Sequence, residues 1–155
     1  MIKNILLKVS FILSLSLGIT AVSYAQVPKP YFQTNPWRED QLIAPSALAE
    51  LISKKADVKI YNIGVVQNIK GATNTGAASD AVNLEKLKEV LKTMPKNQSI
   101  VIYCGCCPMG KCPNIRPAFK ALAEQKFTNV RLLDLPDNIK IDWIDKGYPV
   151  ESTYR

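Results

Sequence analysis

The sequence predicts a single α/β domain in which helices flank a central, mostly parallel sheet. Strand and helix patterns alternate from Trp37 to Lys146, the order that builds parallel sheets through crossover helices. The segment "SIVIY" (Ser99 to Tyr103) is almost wholly apolar, as a strand buried on both faces must be. All four cysteines of the chain, Cys104, Cys106, Cys107 and Cys112, follow that strand in one loop. In such sheets ligands bind at the carboxyl ends of strands.

The first residues read as an export signal rather than as part of the fold. Lys3 and Lys8 form a charged head, Phe11 to Val22 an apolar run, and Ser23-Tyr24-Ala25 a small-residue cleavage site. Residues 1–25 are therefore expected to be a signal peptide, and the protein periplasmic or secreted. The apolar run is shorter than the roughly 20 residues that a membrane span needs, so no stable span is expected after cleavage. Residues 26–36, "QVPKPYFQTNP", read as an extended leader, and residues 37–155 as the domain.

Within the domain, Trp37 to Ile43 is a strand candidate. Pro45 suits a first helical position, and Leu48, Leu51 and Ile52 repeat at helical spacing up to Lys54-Lys55. "VKIYNI" (Val58 to Ile63) alternates like a strand, and "GATNTGAASD" (Gly71 to Asp80) reads as a small-residue loop. Asn83 is expected to cap a helix with an apolar stripe of Leu84, Leu87, Val90 and Leu91. After "SIVIY" and the cysteines, Pro117 to Gln125 is expected to be a helix opened by proline, Val130 to Leu133 a strand, and Asn138 to Lys146 a short last helix. Trp37, Trp143 and Tyr148 are assigned to packing, Asp134 and Asp142 to caps or turns.

Composition narrows the chemistry. The chain has 155 residues, 47% of them hydrophobic and 21% charged, which fits a globular domain. The formal charge of +7 falls by 2, to +5, once Lys3 and Lys8 are removed. No basic run with interleaved aromatics is present, so no nucleic-acid partner is expected, although the charge favours small anions. The chain has no histidine. That excludes Ser-His-Asp and Cys-His catalysis, histidine-ligated zinc and histidine-ligated haem. Cysteine, carboxylate, arginine and backbone must do the work.

A cysteine between a strand end and a helix start meets unpaired N–H groups and the positive end of a helix dipole, which favour the thiolate, the attacking form in sulfur exchange. Cys104 is the candidate nucleophile. Arg116, near the helix start, is placed to hold an anion. The backbone N–H groups of Gly105, Cys106, Gly110 and Lys111 are candidate substrate contacts, and Pro108, Pro113 and Pro117 stiffen the loop. Three uses of the four cysteines stay open. Cys104 and Cys107 have the C-x-x-C spacing of thiol redox centres. An exported chain can staple such a loop with disulfides, although adjacent Cys106 and Cys107 are poorly placed to bond each other. Four thiolates also suit Cu(I) or Zn.

Taken together, "SIVIYC", "AFKALAEQKFTNVRLLDL" and "DWIDKGYPVE", with the earlier "DQLIAPSALAELI", "VKIYNIG" and "NIKGA", resemble the rhodanese-like domain over about Gln41 to Glu151. The resemblance implies a three-layer sandwich with a central sheet flanked by helices. It also implies sulfurtransferase activity in which a cysteine persulfide, here on Cys104, passes sulfane sulfur to a thiol acceptor without a required cofactor. Cys107 or Cys112 would resolve the persulfide as a disulfide, which calls for an external reductant and so for a redox partner protein. The chain departs from the family pattern in three ways. Asn62-Ile63-Gly64 stands for Asp-Val-Arg, Asn68 for a histidine, and the loop from Cys104 to Arg116 is longer, with three extra cysteines. The "CGCCP" and "CPN" runs resemble a cysteine-rich, exported subgroup of the family.

Overall fold

The computed structural model describes residues 37–152. The expected signal peptide (1–25), the leader (26–36) and residues 153–155 lie outside the described residues. Five strands form one parallel sheet in the order β1-β5-β4-β2-β3: β1 (Leu42–Ile43), β2 (Lys59–Asn62), β3 (Ala72–Asn74), β4 (Ile100–Tyr103) and β5 (Val130–Leu133). Among the described residues the three α-helices are α1 (Pro45–Ser53), α2 (Ala81–Lys92) and α3 (Ile115–Glu124).

β4 is central because it is apolar on both faces: all four of its residues are buried. Alternation sends Ile100, Ile102 and the following Cys104 to one side, where they pack with Leu87 and Leu91 of α2 and Ala118 and Leu122 of α3. Val101 and Tyr103 point to the other side, against Leu48 of α1 and against Ile139 and Trp143. Helices thus cover both faces of the sheet, giving the expected three layers. None of the helices among the described residues is long and apolar enough to cross a membrane.

Several expected elements shift for local reasons. The strand expected over Trp37 to Ile43 survives only as β1. Before it, the Arg38 backbone N–H donates to Gln41 Oε1 (3.1 Å) and the Arg38 guanidinium to both Asp40 carboxylate oxygens, closing Glu39–Gln41 into a 3-10 turn. The loop expected over Gly71 to Asp80 contains β3, whose residues carry no strand pattern of their own. It forms because β2 offers a free edge, with Ile60, Tyr61 and Asn62 facing Ala72, Thr73 and Asn74. Asp80, not Asn83, caps α2: its carboxylate accepts from Val82 N–H (2.8 Å) and Asn83 N–H (3.1 Å). Val90, placed in the apolar stripe of α2, is 42% exposed. α3 begins two residues before Pro117, which is tolerated because the first turn of a helix has no intrahelical use for its N–H groups. The last helix is a five-residue π-helical turn, Lys140–Ile144, with the Asp142 carboxylate accepting from the N–H groups of Asp137 and Asn138. Trp143 is fully buried with its ring 5.1 Å from that of Tyr148, and the Trp37 ring lies tilted 4.8 Å from that of Phe119.

Tyr103 ties β4 to the segment that follows β2. Its buried hydroxyl accepts from Ile69 N–H (2.9 Å) and donates to Gln67 O (3.3 Å). Tyr103→Phe leaves a buried N–H without a partner and is expected to cost about 1–3 kcal/mol. The check is urea unfolding, where the midpoint should fall with the slope unchanged.

Candidate active site: a thiol cluster at the end of the central strand

Cys104 is the first residue after β4, on the side that faces α2 and α3, and only 1% of its surface is exposed. The chain must turn sharply there, and Gly105 makes the turn with φ +71°. A Cβ on Gly105 would lie 2.7 Å from Ile139 Cβ, and its carbonyl accepts from Ile139 N–H (2.9 Å), so the turn is pinned against the far side of the domain. The turn folds Cys106 back until its Sγ is 3.2 Å from Cys104 Sγ. The chain then runs through a 3-10 turn, Met109–Lys111. Buried Met109 holds that turn in the core, with its N–H directed at Leu135 O (3.4 Å). The turn returns the chain to the strand end, where Cys112 is 3% exposed and Asn114 opens α3.

Asn114 completes the sulfur's surroundings. Its Nδ2 donates to Cys104 Sγ (3.1 Å), while its Oδ1 accepts from Ser79 N–H (2.8 Å), which fixes the amide's orientation. On the other side lies Gly64, where a Cβ would come within 2.7 Å of Cys104 Sγ. Only glycine leaves room for the sulfur. Gly64 N–H donates to Asn62 Oδ1 (3.0 Å), and Asn62 Nδ2 donates to Val66 O (2.8 Å) and to Asn68 Oδ1 (2.9 Å). Asn62 and Asn68 are therefore bonded to each other. They hold the turn that presents Gly64.

The Sγ atoms of Cys104, Cys106 and Cys112 lie within 4.8 Å of one another. All four cysteines are free thiols. Cys107 stands outside the triad, its Sγ 3.6 Å from that of Cys106, so the C-x-x-C pair suggested by spacing is not the closest pair. The charge is unevenly shared. The hydrogen bond from the Cys112 thiol, more than any other contact, holds Cys104 down to about 5 against the opposing effect of burial, helped by the Cys106 N–H, the Asn114 amide and the Cys106 thiol. The same contact, with burial, pushes Cys112 far up. Burial first, then the Cys104 and Cys107 sulfurs, pushes Cys106 up to about 12. At neutral pH the cluster thus holds one thiolate, on Cys104, and neutral thiols at Cys106 and Cys112.

The remaining residues singled out from the sequence lie around this centre. Gly105 makes the turn, Gly110 sits half-buried in the 3-10 turn, and Lys111 and Arg116 are exposed, Arg116 in the first turn of α3. Asn114 and Gly64 were missed. The Cys-Pro-Asn run directly before a helix was a usable signal for Asn114. Gly64 had none, because its approach to Cys104 follows from the pairing of β2 with β4, where Ile63 N–H donates to Tyr103 O (2.9 Å). A surface hollow of about 830 Å³ along β3 and α2 is lined by no cysteine and lies apart from this chemistry.

No family model matches the chain, and no curated protein does. Among solved structures it is similar to the thiosulfate sulfurtransferase from Pseudomonas aeruginosa, with a TM-score of 0.52 at 15% identity. The chain has a rhodanese-like fold. The match covers 71% of this chain but 20% of the other, so the chain spans about a fifth of that protein's length. At that identity the likeness is one of fold. Within it, the cysteine cluster lies in the loop after the central strand.

Four outcomes test this geometry. Thiolate absorbance at 240 nm should rise with a midpoint near pH 5 in the native protein and disappear in Cys104→Ser. Asn114→Ala removes a donor to the anion and should move the midpoint upward; an unmoved midpoint would show that the amide does not support the thiolate. Because the folded value lies below that of an ordinary thiol, about 8.5, the thiolate adds stability above that value. The gain is lost as pH falls toward about 5. Gly64→Ala should displace the sulfur, slow its alkylation and destabilise the fold by about 1–3 kcal/mol, measured by iodoacetamide kinetics and denaturant unfolding.

Proposed function

We propose that this chain is an exported sulfane-sulfur carrier of the sulfurtransferase type, which takes up and passes on sulfur as a persulfide on Cys104. The observation that carries the reading is the buried Cys104 sulfur at the end of the central strand of a rhodanese-like fold, with the Asn114 amide aimed at it and the Cys112 sulfur beside it. The thiolate attacks the outer sulfur of an anionic sulfane donor. A Cys104–S–S⁻ persulfide forms and the donor's remaining anion leaves. A small thiolate acceptor then attacks the outer sulfur of the persulfide, and the Cys104 thiolate departs. The depressed pKa serves both steps, since it supplies the nucleophile and makes it a good leaving group. Lys111 and Arg116, both exposed beside the loop, draw the anionic donor, while the N–H groups of Gly105, Cys106 and Gly110 line its approach. No cofactor enters these steps. Export rests on the charged head, apolar run and cleavage site of residues 1–25.

A second reading rests on the triad itself. Three sulfurs within 4.8 Å of one another suit a d10 cation, since metal–sulfur bonds of about 2.3 Å put thiolates about 4 Å apart. Soft thiolates favour Cu(I), then Zn, with Cys107 beside the triad as a fourth sulfur.

Intact mass spectrometry of the protein isolated without reductant separates the two. A sulfur carrier gains about 32 Da in both native and denaturing spectra. The gain is removed by a thiol and absent in Cys104→Ser. A metal-binding protein gains the mass of its metal in the native spectrum alone. An unmodified Cys104 after incubation with a sulfane donor would overturn the carrier reading.

A further inference from the structure

The geometry points to a second activity at this loop: Cys104 and Cys106 form a C-x-C dithiol–disulfide pair through which the bound sulfur leaves as hydrosulfide and an external dithiol restores the site. Spacing alone suggests Cys107 or Cys112 as the resolving residue. The structure instead brings Cys106 Sγ to 3.2 Å from Cys104 Sγ, because Gly105 turns the chain at φ +71° and is locked there by Ile139.

Access separates the roles of the cysteines. Cys104 and Cys112 are buried, whereas Cys106 is exposed. Cys106 can therefore meet both the buried sulfur and a partner from solvent, and no other cysteine in the loop combines the two. In the first step the Cys106 thiol gives its proton to the outer sulfur of the persulfide and, as the thiolate, attacks the inner, Cys104 sulfur. A Cys104–Cys106 disulfide forms, the sulfur–sulfur bond of the persulfide breaks, and the outer sulfur leaves with the Cys106 proton as HS⁻. The two cysteine sulfurs are oxidised by two electrons, which the sulfane sulfur receives. In the second step one thiolate of an external dithiol attacks the exposed Cys106 sulfur, and Cys104 departs as a thiolate into the hydrogen bonds from Asn114 and Cys112. The second thiol of the reductant then displaces Cys106 and takes the disulfide away. Attack on an accessible sulfur with departure of a stabilised thiolate is the favoured direction of thiol–disulfide exchange.

The hydrosulfide step rests on the persulfide reading of the preceding section; formation of the disulfide does not, and the test uses both. Lys111 follows three of the cysteines and precedes Cys112, so trypsin separates Cys112 from the others. The full chain is equilibrated with glutathione and its disulfide, quenched in acid, alkylated and mapped. The expected product is about 2 Da lighter, with its disulfide inside the peptide that carries Cys104, Cys106 and Cys107. That disulfide should be lost in Cys106→Ser and kept in Cys107→Ser. A bond to Cys112, a bond that survives Cys106→Ser, or no internal bond overturns the pairing. Separately, protein loaded with a sulfane donor and freed of excess donor should release hydrosulfide without added thiol. Cys106→Ser should retain the persulfide, with release slowed about tenfold or more, since the reacting sulfurs are no longer held together. Equal release from both, or a persulfide found on Cys106, overturns the step. Failure of Cys106→Ser, which cannot resolve the persulfide through Cys106, to load any sulfur overturns the carrier reading and leaves the glutathione result to decide the pair.

Discussion

The arrangement of this domain turns on one buried anion, the Cys104 thiolate, and on the donors that make it tolerable. A charge with almost no exposed surface loses its hydration, and a thiol in apolar surroundings stays protonated for that reason. Here the loss is offset by the Cys112 thiol, the Asn114 amide and the Cys106 N–H, all converging on one sulfur. Each donor needs its own support. Asn114 is oriented by Ser79 N–H, and Cys112 is delivered by a turn that buries Met109. Asn114 joins the start of α3 to the segment before α2, so the two helices on that face and the sulfur are fixed together.

Space matters as much as charge. A single methyl group on Gly64 would strike the Cys104 sulfur and one on Gly105 would strike Ile139, each at 2.7 Å. One makes room for the sulfur itself and the other for the turn that brings Cys106 back. The Asn62–Asn68 pair then acquires a purpose. It satisfies a buried position with neutral amides, so no second buried anion competes with the thiolate, and it holds the bend at Gly64. Asn62, Gly64 and Asn68 thus form one coherent substructure.

Much of the sheet was legible along the chain because its signals are local. The apolar run of β4, the strand at Val130 to Leu133 and the repeats of α2 and α3 each declare themselves within a few residues. β3 did not, since its pairing energy lies in the free edge of β2 rather than in its own side chains. The last helix was legible as a helix, but its π-helical winding depends on burying Trp143 against the far face of the sheet. Asp80 displaced Asn83 as the cap of α2 because both residue types cap well and only the position of the first turn chooses between them.

From residue types and spacing alone, the sequence determined that the four cysteines stand together after the central strand and that no histidine is there to assist them. An all-apolar strand must lie inside a parallel sheet, and a loop at its end must face the binding edge. Only the tertiary structure decided which sulfurs meet. Cys107 is as near to Cys106 in sequence as residues can be, yet it stands outside the triad, while Cys112 arrives from eight residues beyond Cys104. Distances within a loop depend on where its turns are pinned. Those pins, at Ile139, Leu135 and Ser79, come from segments far along the chain.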